Sequence, residues 1–74
     1  MGSLDCQNEN SYCRISHFRG SARFIGRITA MGLTIGTVVE IVQNRKYYPL
    51  LLFARDTMLA VSRKEARNIL VEEA

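Results

Sequence analysis

Gly20-Ser-Ala-Arg-Phe-Ile-Gly-Arg-Ile-Thr-Ala-Met-Gly-Leu-Thr-Ile-Gly36 runs directly into Thr37-Val-Val-Glu-Ile-Val-Gln43. The first stretch carries the marks of one short capped helix. Ser21 can accept a hydrogen bond from a backbone N–H of the first turn. Phe24, Ile25, Ile28 and Met31 recur at helical spacing and define one apolar face. Arg23 and Arg27, four residues apart, share the opposite side. Gly32 stands where a left-handed C-terminal cap is needed. Gly26, inside the helix, costs about 1 kcal/mol of propensity relative to Ala, which a close backbone contact would justify. From Thr37 the period changes to two, with Thr37, Val39 and Ile41 on one face and Val38, Glu40 and Val42 on the other. So short a helix is marginal on its own. It gains stability only as a plug on something larger, and the alternating strand predicts that this is a small β-barrel or sheet.

Upstream, Tyr12–Phe18 reads as a first strand in which Cys13 and Ile15 alternate with Arg14 and Ser16. The step from Ile15 to Phe18 is three residues, so a bulge is expected to let both point inward. Residues 1–10 are polar and aperiodic and are expected to be loosely tied, leaving residues 11–74 as the domain. Downstream, Asn44-Arg45-Lys46 is a polar turn, and Leu50–Ala54 and Thr57–Val61 flank Arg55-Asp56 as a hairpin. Its turn is not the favoured Asn-Gly. Ser62-Arg63-Lys64-Glu65 is a capping box opening a second short helix, and Ile69-Leu70-Val71 is a closing strand.

Seventy-four residues make one domain, and a chain this small buries only roughly 60% of its unfolded surface. Two cysteines, Cys6 and Cys13, without a signal peptide fit a reduced, cytoplasmic chain better than a disulfide scaffold. No run approaches the roughly 18 apolar residues of a membrane span. The net charge of +3 hides an asymmetry: between residues 10 and 71 there are ten basic and three acidic side chains, or +7. Such a body favours acidic partners.

The strings MGLTIGTVVEIV (Met31–Val42) and YPLLLFARDTMLAVSRKEARNILV (Tyr48–Val71) resemble the FeoA family, small cytosolic accessory proteins of bacterial ferrous iron transport. Met31-Gly32-Leu33-Thr34-Ile35-Gly36 matches the family's turn, Pro49-Leu50 the start of a strand and Leu59-Ala60-Val61 the next. Glu65-Ala66 and Ile69-Leu70-Val71 match its end. Ile35 stands where the family has Pro, Asp56 where it has Gly, and the leucine-rich entry is replaced by Cys6–Asn10. The resemblance implies a mainly β fold, a small SH3-like barrel of about five strands with two short helices. Ile15, Phe24, Ile28, Leu33, Val39, Ile41, Leu52, Leu59, Val61 and Ile69 are the expected core. It also implies protein contact with the membrane GTPase FeoB, without catalysis or iron ligation. The chain would then be cytoplasmic, or peripheral at the inner membrane through that partner. The same module occurs in metal-dependent repressors, which is the alternative context.

The segment from Gly20 to Gln43 holds no nucleophile–base pair and no phosphate loop, and the one histidine, His17, has no Asp or Glu near it in sequence and no nucleophile elbow to serve, so no catalytic residue and no cofactor are expected. Cys6, Cys13 and His17 are the only conceivable metal set, a poor match to a four-ligand site, and no metal site is expected. Cys13 reads as core packing. If Leu50, Leu52, Ala54, Leu59 and Val61 point inward, parity sends Leu51, Phe53 and Met58 outward, with Val38 and Val42. Such positions are normally polar on a half-solvated antiparallel sheet, so these five are the candidate partner-binding strip, whether for a partner or for a second copy. Arg19, Arg23 and Arg27 form a second candidate surface. Nucleic-acid binding is the rival class. It would want aromatics interleaved with cations, and Tyr47 and Tyr48 beside Arg45 and Lys46 are the one such cluster, so it is disfavoured.

Overall fold

The computed structural model of the chain describes residues 2–74. Six strands form one antiparallel sheet: β1 (Gly2–Ser3), β2 (Tyr12–Phe18), β3 (Val38–Gln43), β4 (Leu50–Ala54), β5 (Thr57–Val61) and β6 (Ile69–Glu73). They lie in the order β1-β6-β2-β3-β4-β5, and the two ends of the sheet do not pair with each other. Two short helices, α1 (Ala22–Ala30) and α2 (Arg63–Ala66), complete the fold. The mainly β expectation holds, with one strand more than foreseen and the sheet left open.

Local chemistry explains the elements. Ser21 accepts from the Phe24 N–H at 3.1 Å and starts α1. The helix ends in a Schellman motif: the Gly32 N–H reaches Thr29 O at 2.9 Å and the Leu33 N–H reaches Ile28 O at 3.3 Å. Gly32 takes φ +96° there, a conformation costly for any residue with a Cβ. Ile28 and Leu33 are both fully buried, so the motif's hydrophobic contact sits inside the core. Phe24 is only half-buried and Met31 is exposed, so the apolar face of α1 is narrower than its periodicity suggests. Apart from its chain neighbours and the backbone of α1 itself, no atom of the described residues lies within 4 Å of the place a Cβ would occupy on Gly26. The close contact expected there is absent, and nothing in the structure explains this glycine.

The expected bulge in β2 is present as a register shift between Ile15 and His17 against β6. The capping box of α2 is complete, with Ser62 Oγ accepting from Glu65 N at 3.1 Å and Glu65 Oε1 from Ser62 N at 3.2 Å. Arg55 and Asp56 turn the β4–β5 hairpin with φ +53° and +59°, the left-handed pair of a type I′ turn. Each L-residue held there costs about 1–2 kcal/mol. Replacing both, Arg55→Asn with Asp56→Gly, should therefore stabilise the domain by about 1–2 kcal/mol. A thermal melt that fails to rise would show that the turn is compensated elsewhere.

The core contains Cys13, Ile15, Ile28, Leu33, Val39, Ile41, Leu50, Leu52, Val61, Ile69 and Val71, with Phe18, Phe24 and Leu59 packed on it partly exposed. Leu4 also belongs to it, fully buried, although residues 1–10 read as loosely tied. The difference has a physical cause. Gly2 and Ser3 pair with Val71 and Leu70, and the Asn10 N–H bonds to Ile41 O at 2.7 Å. Asn44 Nδ2 donates to the Asp5 and Gln7 carbonyls at 3.0 and 2.6 Å. The segment is stitched to the sheet by backbone groups that polarity and periodicity do not reveal. Met1 lies outside the described residues.

Candidate interaction surface

The register places the outward residues side by side. Tyr12 lies opposite Glu40, Glu40 opposite Phe53, and Phe53 opposite Met58, forming one row across four strands. Beside it, Leu51 faces Ala60 and Val38 faces Arg14. A second register shift in β3 falls between Ile41 and Gln43, around Val42. Phe53 is 38% exposed, Met58 51%, Val38 41% and Val42 37%, while Leu51 is half-buried. Leu50, Leu52, Ala54 and Val61 are buried beneath them. Parity thus places all five candidates on the outer face of the sheet, with Leu51 the least accessible. Tyr12, 60% exposed at the end of the row, and Ala60 belong to the same face. The same alternation could have named both, since Cys13 and Val61 point inward.

The arginines do not join this strip. Arg19 donates from Nη2 to the Arg67 carbonyl at 3.0 Å, and Arg27 is ion-paired with Glu65. Both brace the α2 end of the chain, while Arg23 is exposed. Between the two helices lies an open groove of about 580 Å³ lined by Phe24, Arg27, Ser62 and Lys64 among others. The basic–aromatic cluster is partly self-occupied. Lys46 Nζ sits 5.4 Å from the centroid of its neighbour Tyr47, and Arg45 Nε is 3.7 Å from Glu9.

Cys13 is buried and Cys6 exposed. Burial pushes the Cys13 thiol up to about 11, so it is protonated near neutral pH and a poor nucleophile. Among the described residues no three His, Cys, Asp or Glu side chains form a group that could hold a metal ion. No described helix is long and apolar enough to cross a membrane.

These features define a small, open β-sheet domain whose outer sheet face carries Phe53, Met58, Val38 and Val42 around Glu40. The FeoA domain model matches residues 3–73, and the chain belongs to that family. Among solved structures, the FeoA-like protein from Clostridium acetobutylicum is 25% identical, with a TM-score of 0.86, covering 97% of this chain and 85% of that one. An iron uptake regulatory protein, FeoA, is 15% identical with a TM-score of 0.87, covering 96% and 93%. A manganese-dependent transcriptional repressor in complex with manganese superposes with a TM-score of 0.91 over 99% of this chain, at 8% identity. This chain spans only 36% of that repressor, and the likeness is one of fold. No curated protein matches the sequence.

Proposed function

We propose that this protein is a non-catalytic accessory protein of ferrous iron uptake that acts by contact with the membrane GTPase FeoB. Membership of the FeoA family supports the role in iron transport. The observation that carries a contact function is the outward strip of Leu51, Phe53, Met58, Val38 and Val42, since neighbouring apolar side chains on a small domain mark interaction sites. The basic body of the chain would steer it toward acidic surfaces, and exposed Arg23 is the member of the arginine set most available for this. The partner would hold the protein at the cytoplasmic face of the inner membrane.

Phe53 and Met58 are the anchors of the reading. Apolar anchors of an interface each cost about 2 kcal/mol or more when truncated. Phe53→Ser with Met58→Ser should therefore weaken binding to a cytoplasmic fragment of the transporter by well over about 100-fold. Circular dichroism and the melting temperature should stay nearly unchanged, because both side chains are partly exposed. Wild-type affinity in the double variant would refute the strip. Tight, salt-dependent binding to RNA or DNA would favour the nucleic-acid reading instead.

A further inference from the structure

We propose that the tip of the loop between β3 and β4, residues 45–49, docks on the surface of an anionic lipid bilayer. Tyr47 and Tyr48 rest among the headgroups, with Arg45 and Lys46 on the lipid phosphates. This goes beyond the accessory reading and does not depend on it. The Tyr48 N–H bonds to Arg45 O at 3.1 Å, closing a β-turn whose third residue is Tyr47, at φ +73°. A positive φ at that place alone belongs to a type II turn and favours Gly or Asn. Tyr47 takes it and gains no packing: it is 86% exposed, the most of any large apolar side chain described. Strain of this kind persists where neighbours enforce it, and it gathers at sites that serve a ligand. The enforcing neighbour is Arg63, whose Nη1 donates to the Arg45 and Tyr48 carbonyls on either side of Tyr47, at 3.1 and 3.4 Å.

Composition selects the occupant. No acidic side chain occurs between residues 41 and 55, and Arg45 and Lys46 stand directly beside the two tyrosines. All five residues from 45 to 49 are exposed, so they form a projecting tip, not a groove. Tyrosines with an apolar ring and a wet hydroxyl suit the membrane–water interface, and cations near an anionic leaflet are drawn to it. The one acid that reaches the loop is Glu9, which accepts from the Asn44 N–H at 2.8 Å where the loop begins. It lies 3.7 Å from Arg45 Nε and leaves the Arg45 side chain 70% exposed. The backbone of the tip also tolerates a partly dehydrated layer. Arg45 O already accepts from both Tyr48 N and Arg63, Tyr48 O accepts from Arg63, and Pro49 has no N–H to leave unpaired.

Other acidic partners fit the tip less well. A nucleic acid needs free ring faces for stacking and a groove of cations that follows several phosphates. Here Lys46 Nζ lies over the Tyr47 ring, 5.4 Å from its centroid, and the third cation, Arg63, is turned onto the loop's own carbonyls. A protein would need a pocket shaped for both rings. A lipid surface needs none, and it meets a rigid projecting tip without rearrangement of the chain.

The decisive measurement floats the full chain with lipid vesicles at low salt. It should bind vesicles of phosphatidylcholine mixed with phosphatidylglycerol, ignore phosphatidylcholine alone, and let go as salt rises. Lys46→Gln should weaken binding by about fivefold, the worth of one cation at such a surface. Lys64→Gln removes the same charge from an exposed position on α2 and should change it much less. Tyr47→Gly separates use from stability: glycine accepts the positive φ freely, so the variant should melt no lower than wild type yet lose vesicle binding. Tyr47→Trp introduces the chain's only tryptophan, whose emission should shift to the blue on the mixed vesicles. If the glycine variant does not fold, the tryptophan and lysine variants decide. A wild-type chain that stays in the buffer at low salt overturns the proposal. So does binding that survives in folded Tyr47→Gly, equal losses at Lys46 and Lys64, or an unshifted tryptophan. Capture of single-stranded oligothymidine in place of vesicles overturns it in favour of a nucleic-acid site. No transporter fragment takes part, so these outcomes are separate from success or failure of the accessory reading.

Discussion

Leu4→Ala is expected to cost about 2–5 kcal/mol, the range for truncating a fully buried leucine. At about 0.05–0.15 kcal/mol per residue, a domain of this length holds only roughly 4–11 kcal/mol in all. The substitution should therefore move the urea midpoint far down and can leave much of the protein unfolded at ambient temperature. Its weight comes from position: Leu4 has no exposed surface, lies in the short 3₁₀ turn Leu4–Cys6, and joins the same cluster as Ile15, Ile69 and Val71. Leu59→Ala is the matching control. Leu59 reads as core from its alternation but is only half-buried, so it should cost clearly less. Equal losses at the two sites, or none at Leu4, would mean that the N-terminal segment does not plug the sheet.

Arg63→Ala is expected to cost about 2–3 kcal/mol, from the loss of hydrogen bonds donated by a charged group. One guanidinium holds two segments at once. Its Nη1 donates to Asn44 Oδ1 at 2.8 Å, to the Arg45 carbonyl at 3.1 Å and to the Tyr48 carbonyl at 3.4 Å, while Nη2 reaches the Asp5 carbonyl at 3.4 Å. Asn44 is in turn bonded to the N-terminal segment. Tyr47 lies between the two clamped loop carbonyls with φ +73°, a conformation uncommon for a bulky residue that persists only when neighbours impose it. The variant should therefore loosen residues 2–10 and the loop at 44–49 together, read as new protease cleavage in both. Arg63→Lys should rescue little, because a single ammonium cannot span this fork. Cleavage confined to one segment would break the link between them.

Much of the candidate strip was legible because strand parity is a one-bit problem. Once Leu50 and Leu52 are committed inward, Leu51 and Phe53 must face out, and the observed pairing of Phe53 with Met58 follows from a two-residue turn. The same logic covered the Ile15–Phe18 bulge and the faces of β3. What escaped it depends on other elements. Half-burial of Phe24 and Leu59 reflects how far the helix and the edge strand extend past the core, which no local period encodes. The commitment of Arg19 and Arg27 to Arg67 and Glu65 required α1 and the α2 end to meet.

The sequence by itself determined the local elements and their inward faces. Ser21 and Gly32 bound α1, alternation sets the faces of β3, β4 and β5, and Ser62 with Glu65 opens α2. Each signal is carried by residues within one turn or one hairpin of each other, where covalent geometry limits the choices. Only the tertiary structure decided how the ends of the chain are used. Gly2 and Ser3 find Val71 and Leu70, Leu4 fills the core, and Arg63 ties Asp5 to the loop at Asn44. The pairing of Gly2 and Ser3, and most acceptors of Arg63 and Asn44, are backbone groups, which every residue carries alike. Leu4 is a single apolar residue in a polar segment, with no period to place it, so these contacts are not legible until the chain is folded. The open edge of β5 is settled the same way, since a strand is an edge only by virtue of what does not lie beside it.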